Sequence, residues 1–159
     1  METLSKSANH VQQALAQKGL SFAVLELASS TRTASDAASA IGCDVAQIVK
    51  SLLFRTVATN QPVLVLASGA NRVNENRIET LIGEKVVKAD ADYVREVTGY
   101  AIGGIPPLGH KQQIHQIFID EELLQHDLLW AAAGTPFAVF CMPSKEIVQV
   151  TDGKVVGIR

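Results

Sequence analysis

Three stretches of this chain carry residue types that could do chemistry. The first is Gly99-Tyr100-Ala101-Ile102-Gly103-Gly104-Ile105-Pro106-Pro107-Leu108-Gly109-His110-Lys111, which gathers four of the 11 glycines and two of the five prolines into thirteen residues. Such a segment cannot be the interior of a helix or strand. Its glycines let main-chain N–H and C=O groups come close to a ligand, and its prolines stiffen the loop. The same composition also suits a plain crossover between two elements, so the surroundings must decide. The second is Lys50, set between Ile48-Val49 and Ser51-Leu52-Leu53-Phe54. A lysine in an apolar run either snorkels from a strand end or is held in a cleft. In a cleft it offers a point charge and three donors for a phosphate, a carbonyl oxygen or a developing oxyanion. The third is the small-residue run Trp130-Ala131-Ala132-Ala133-Gly134-Thr135-Pro136.

Other familiar chemistries lack their signatures. There is no GxxxxGK[ST] phosphate loop and no dinucleotide GxGxxG after a strand, and Gly99 to Gly104 has its glycines at other offsets. No His/Cys group has zinc spacing, so no metal or cofactor is expected. His10 and His126 read as helix-surface residues and His115 as a structural or surface residue of an alternating strand, whereas His110 follows the glycine-rich loop and could face a site. No GxSxG elbow is present, nothing around Ser68-Gly69 marks an activated serine, and Cys141 in an apolar strand is a poor thiolate. An enzyme built on this chain would have to activate water or use the substrate's own groups.

The elements that must position these residues follow from periodicity and punctuation. Ser5 or Ser7 caps a helix to about Lys18, with Ala8, Val11 and Leu15 as its apolar stripe. Phe22–Leu27 alternates as a strand, Ser29–Thr33 is a polar connection, Ser35 caps a helix over Asp36–Ile41, and Asp44 caps a turn over Val45–Val49. Lys50 opens a strand through Val57, which turns at Asn60-Gln61-Pro62 into a buried strand, Val63–Ala67. Helices are expected from Asn74 to Leu81 and from Ala91 to Val97, with a short strand at Lys85–Lys88 between them. After the loop come a strand at Gln113–Ile119 and a short helix at Glu121–Gln125 capped by Asp120. Leu128–Ala133 and Phe137–Met142 then pair, a helix starts at Ser144, and a last strand covers Lys154–Ile158. The sum is an α+β fold: a single domain over residues 1–159 with a mixed, mainly antiparallel sheet surrounded by short helices.

Composition bounds the partners. The 159 residues, 47% hydrophobic and 19% charged, suit one globular domain. No apolar run approaches the ~18–20 residues that cross a bilayer, and the first residues lack the blocks of a signal peptide, so the cytoplasm is the expected location and no membrane partner is expected. Cys43 and Cys141 read as reduced, half-buried small residues. A formal charge of -2 argues against coating nucleic acid non-specifically but permits a local basic patch. Arg72, Arg77, Lys85, Lys88, Arg95 and Lys111 are candidates for that patch, against the plainer reading of scattered solvated charges.

In their order and separation, the Ile48-Val49-Lys50-Ser51-Leu52-Leu53-Phe54 strand, the GYxxGGxxPxG loop and the Trp130–Pro136 run resemble the YbaK/ProX family. These are free-standing relatives of the editing (insertion) domain of bacterial prolyl-tRNA synthetase, and the resemblance spans nearly the whole chain. It implies hydrolysis of the ester bond of mischarged aminoacyl-tRNA, chiefly tRNA(Pro), without metal or covalent nucleophile and with a tRNA 2′-hydroxyl available to assist. It makes Lys50, Gly103 and Gly104 the catalytic group. Gly99, Tyr100, Ile102, Ile105, Pro106, Ala132, Ala133 and Gly134 become substrate-binding. Leu27 and Val139, with Ile48 and Phe54, become a pocket wall, although these four serve equally well as core. The branch best known for Cys-tRNA(Pro) has a motif closer to SGGxRG where this chain has Ala-Ala-Gly-Thr-Pro-Phe, and polar residues where it has Leu27 and Val139. Removal of alanine or a slightly larger group such as 2-aminobutyrate is therefore expected. Cys-tRNA(Pro) hydrolysis and a non-catalytic module that binds a tRNA end or a synthetase are the alternatives. Expected partners are the 3′ end and acceptor stem of tRNA(Pro) and prolyl-tRNA synthetase, with monomer and homodimer both open.

Overall fold

The computed structural model describes residues 4–159. In chain order the elements are α1 (Lys6–Gln17), β1 (Val24–Glu26), α2 (Ala34–Ile41), β2 (Ile48–Thr56), β3 (Pro62–Ser68), α3 (Glu75–Ile82), β4 (Val86–Lys88), α4 (Ala91–Thr98), β5 (Gln116–Asp120), β6 (Leu128–Ala132), β7 (Ala138–Pro143), α5 (Ile147–Thr151) and β8 (Lys154–Val156). Single 3-10 turns lie at Val45–Gln47, Glu121–Gln125 and Ser144–Glu146. The strands form one sheet in the order β1-β7-β6-β2-β3-β5-β8, with β4 paired to β2 off this path. The β1–β7, β2–β3, β2–β4 and β6–β7 pairs are antiparallel, and β2–β6, β3–β5 and β5–β8 are parallel. The α+β class and the mixed sheet expected from sequence are both present.

The period-two pattern of β2 and β3 places their side chains on two faces. Val49, Leu53, Leu64 and Leu66 join the larger core with the buried stripe of α1 (Ala8, Val11, Leu15), Val94 and Val97 of α4, and Phe140. Phe54, Val63, Val65 and Ala67 pack on the other face with Ile78 of α3, Val86 and Phe118. Burial of these side chains is the main favourable term in the fold, at roughly 1.5–3 kcal/mol for each large one.

Several boundaries differ from the sequence expectation, each for a local reason. α2 starts two residues earlier, because the Thr33 hydroxyl accepts the Asp36 N–H at 3.0 Å and takes the cap expected of Ser35. β5 starts at Gln116 and not at Gln113, because β3 begins at Pro62 and its register first pairs Val63 with Gln116. Lys50 does not open its strand. β2 begins two residues earlier, at Ile48, so the lysine lies inside the ladder opposite Ala67.

That ladder is incomplete on one side. β2 pairs with β3 from Val49 to Arg55. On its other edge it meets β6 only at Ile48 and Val49, and β4 only from Phe54 to Thr56. Lys50, Ser51 and Leu52 therefore sit at a split in the sheet. The glycine-rich loop is fastened beside this split, where the Gly134 N–H donates to the Gly104 carbonyl at 2.9 Å. Gly104 packs so tightly on Thr135 that an added Cβ would lie 2.9 Å from the Thr135 N, Cα and C atoms.

Two stability predictions follow from these contacts. Gly104→Ala forces backbone against backbone and should cost about 1–3 kcal/mol in chemical denaturation. Thr33→Ala removes the α2 cap and should cost about 1 kcal/mol by the same measurement. A wild-type midpoint in either variant would contradict the corresponding contact.

Candidate active site

A cleft of about 340 Å³ opens at the split edge of β2. Ile48, Val49, Lys50, Ser51 and Leu52 form its floor. Trp130, Ala131 and Ala132 of β6 and Val139 of β7 form one wall. The glycine-rich loop contributes Ile102, Gly103 and Ile105, and the β1–α2 connection with the first turns of α2 contributes Thr31, Arg32, Thr33, Ala34 and Ala37.

Lys50 is the central polar group. Its ammonium donates to the Asn71 carbonyl at 2.5 Å. An ammonium has three N–H bonds, so two remain for a ligand. Burial pushes the Lys50 pKa below the ordinary lysine value, the nearby Arg72 and Lys88 charges push the same way, and Asp120 opposes them. A partly desolvated cation of this kind interacts more strongly with a developing negative charge than one in water. Beside it the Ser51 hydroxyl is buried with no hydrogen-bond partner. Arg32 is exposed, and its stem lies against the loop: a Cβ on Gly103 would sit 2.9 Å from Arg32 Cγ. Arg32 makes no ion pair among the described residues. The lining holds no His, Cys, Asp or Glu. The arrangement can donate hydrogen bonds, hold an anion and confine a small apolar group, but it supplies no side-chain base.

Of the residues expected at the site, Lys50, Ile102, Gly103, Ile105, Ala132 and Val139 line the cleft, with Ile48. Gly104, Ala133, Gly134 and Pro106 lie behind it and are buried. Gly104 and Gly134 are hydrogen-bonded to each other, and the Ala133 N–H donates to the Ala138 carbonyl at 2.8 Å. The Pro106 carbonyl accepts from His110 Nε2 at 2.7 Å. Gly99 caps α4 with a φ of 84°. Tyr100 is sunk into the core, its hydroxyl donates to the Gly109 carbonyl at 3.1 Å, and burial pushes its pKa up to about 12. Gly99, Tyr100 and His110 face a separate groove shared with Lys6, His10 and Lys111. His110 is thus turned away from the cleft, and burial lowers its pKa. Leu27 also lies off the cleft, its N–H bonded to the Phe137 carbonyl at 2.7 Å, and Phe54 belongs to the core on the α3 side of the sheet.

The wall formed by Thr31, Arg32, Thr33, Ala34 and Ala37 was missed in the sequence, as were Ser51 and Trp130 as lining residues. The usable signal was Thr33-Ala34-Ser35-Asp36, an N-cap followed three residues on by an acid, which dates the start of α2 correctly. Nothing local shows that this helix start faces Lys50. It is brought there by Thr31, whose N–H and hydroxyl both donate to the Pro136 carbonyl, the latter at 2.8 Å.

Comparison with known proteins supplies the family. The chain is 28% identical over 132 residues to the uncharacterized protein YwhH of Bacillus subtilis, covering 83% of each. It is 30% identical over 95 residues to a proline–tRNA ligase of Limosilactobacillus fermentum, a match that covers 57% of this chain and 16% of the ligase. A solved structure with a proposed role as a trans-editing enzyme for prolyl tRNA synthetase superposes with a TM-score of 0.93 at 42% identity, over 99% of both chains. The profile of the aminoacyl-tRNA editing domain matches residues 28–150, which hold the split strand, the glycine-rich loop and all the cleft-lining residues, and the chain belongs to that family.

Proposed function

We propose that this protein is a trans-editing aminoacyl-tRNA deacylase that hydrolyses the ester bond of mischarged tRNA(Pro) carrying alanine or another small residue. The observation that carries the reading is the pairing of a half-buried lysine with a small apolar cleft whose lining has no His, Cys, Asp or Glu. An aminoacyl ester is already activated, so positioning and oriented donors can suffice for its hydrolysis. Water adds to the ester carbonyl, the Lys50 ammonium faces the oxyanion that develops, and the carbon–oxygen bond to the ribose breaks. One proton of the water ends on the ribose oxygen, the other is released to solvent, and the amino acid leaves as its carboxylate. The neighbouring ribose hydroxyl of the tRNA terminus is the group available to orient the water. Gly103 brings the loop backbone against the aminoacyl group.

Size selection falls to Ile48, Ile105, Trp130, Ala132 and Val139, which line the cleft. One methylene in such a pocket is worth only ~1–3 kcal/mol, and this is why a synthetase that admits alanine into a proline site needs a second sieve. Val139 offers no polar atom to engage a cysteine thiol, which favours alanine over cysteine as the group removed. Residues outside 28–150 complete the same core through α1 and β8, so we take the whole chain as one editing unit acting in the cytoplasm. No helix of the described residues is long and apolar enough to cross a membrane.

The test is deacylation of Ala-, Cys- and Pro-charged tRNA(Pro). Wild type should release alanine, spare proline, and show only modest salt dependence because few phosphates are met. Lys50→Ala should lose about 10²–10³-fold in rate while remaining folded. Binding of every mischarged tRNA without hydrolysis would favour a non-catalytic tRNA-end module, and preference for the cysteinyl ester would move the protein to the other branch. A second variant probes the loop. Gly103 has a φ of 94° and faces the Arg32 stem, so Gly103→Val should abolish turnover by straining the loop and obstructing the cleft. Unchanged turnover would remove the loop from the site.

A further inference from the structure

Lys50 is held by groups that lie outside the cleft. Asp120, the last residue of β5, is 1% exposed, and its carboxylate accepts three hydrogen bonds. Oδ2 takes the Ser68 N–H at 3.0 Å and Asn71 Nδ2 at 2.8 Å, and Oδ1 takes the Glu122 N–H at 3.0 Å. No cation pairs with it among the described residues. The bond to Glu122 caps the 3-10 turn that follows β5, a task an asparagine performs as well. The other two bonds serve the turn after β3. That turn is fixed from several sides. The Ser68 hydroxyl donates to the Ala46 carbonyl at 2.8 Å, the Gly69 N–H to the Ile48 carbonyl at 2.7 Å and the Asn71 N–H to the Ser68 carbonyl at 2.9 Å. A Cβ on Gly69 would lie 2.3 Å from the Val45 carbonyl oxygen, so the turn cannot shift toward Val45. Its outcome is the Asn71 carbonyl, aimed at Lys50 Nζ.

We propose that Asn71 and Asp120 are positioning residues for Lys50: the buried carboxylate fixes the Asn71 side chain, the Asn71 carbonyl fixes the ammonium, and turnover depends on that aim although neither side chain lines the cleft. The inference rests on the deacylase reading above. The burial of a carboxylate without a counter-ion is explained by the chain of donors that ends at the lysine, since its negative charge stands behind the carbonyl that faces the cation. Capping alone needs neither the charge nor the bond to Asn71.

The experiment compares kcat and KM for mischarged tRNA(Pro) in wild type, Asn71→Ala, Asp120→Asn, Lys50→Ala and the Lys50→Ala/Asn71→Ala double variant. Asn71→Ala and Asp120→Asn should lower kcat about tenfold or more with KM little changed, and the double variant should be no slower than Lys50→Ala alone. The alkaline limb of the rate, net of spontaneous ester hydrolysis, should also move to lower pH in Asp120→Asn. Lys50 must be protonated to donate, Arg72 and Lys88 both favour its loss of the proton, and Asp120 is the charge that opposes them. Wild-type kcat in both single variants, or losses that simply add in the double variant, would overturn the relay. If Asp120→Asn does not fold, Asn71→Ala decides, because it removes one bond and leaves the carboxylate two. If wild type hydrolyses no ester, the deacylase reading fails separately. The titration of the ¹⁵N-labelled Lys50 side chain in wild type and Asn71→Ala then decides the relay, and an unchanged curve overturns it.

Discussion

β2 is zipped to β3 along nearly its whole length, yet its other edge is paired only at the two ends. A central strand left open in this way is a costly arrangement, because its main-chain donors and acceptors must find partners or water. Here the opening is framed and not filled. β6 holds one end, β4 the other, and the glycine-rich loop and the start of α2 stand across the gap. The rest of the site depends on this split. It lets the side chain of Lys50 reach a cleft while its backbone stays fixed by a ladder, and this rigidity is what a loop-borne lysine would lack.

The part of this architecture that was legible in the sequence is the part written locally. Lys50 is marked by its apolar neighbours, the loop by its glycines and prolines, and the β6–β7 turn by Gly134-Thr135-Pro136. Helix starts at Asn74 and Asp90, and at Ser5 as one of the two caps expected for α1, follow from capping chemistry that needs no tertiary information. What the sequence does not show is which side of the loop faces the cleft. Ile102 and Gly103 face it, whereas Tyr100 is drawn into the core by its size and Gly99 is used up in ending α4. The third wall was illegible for a different reason. Thr31, Arg32 and Ala37 reach the cleft only because Thr31 is tied to Pro136, more than a hundred positions away in the chain. Strand ends were misplaced wherever the partner's register, and not the strand's own pattern, set the limit, as at Gln116.

Charge is distributed in a way that the net value of -2 conceals. Lys50 and Arg32 line the cleft, Arg72 and Lys88 act on Lys50 electrostatically, and the lining itself contains no carboxylate. Of the six basic residues singled out in the sequence, these last two are placed to matter there, while Arg77 is committed to the Arg159 carbonyl. A mildly acidic protein can thus present a local positive field without the affinity for any nucleic acid that a basic surface would bring.

The same field bears on the proposed ester hydrolysis in a cleft that holds no His, Cys, Asp or Glu. Burial and neighbouring cations destabilise the charged form of Lys50, which makes its ammonium a stronger partner for an oxyanion but also readier to lose its proton. The charge is kept in play by one carbonyl at 2.5 Å and by one carboxylate beyond it. In the proposed deacylation, which uses no covalent intermediate, the rate must come from where the donor sits relative to the carbonyl carbon and its water, and small displacements are expensive in such a site. The turn from Ser68 to Asn71 is accordingly among the most constrained pieces of backbone near the cleft, held by side-chain, main-chain and steric contacts at once. In the proposed deacylase, selectivity and rate are then divided between two structures: β6, β7 and the loop shape the space for the aminoacyl group, while the ends of β3 and β5 hold the cation that faces it.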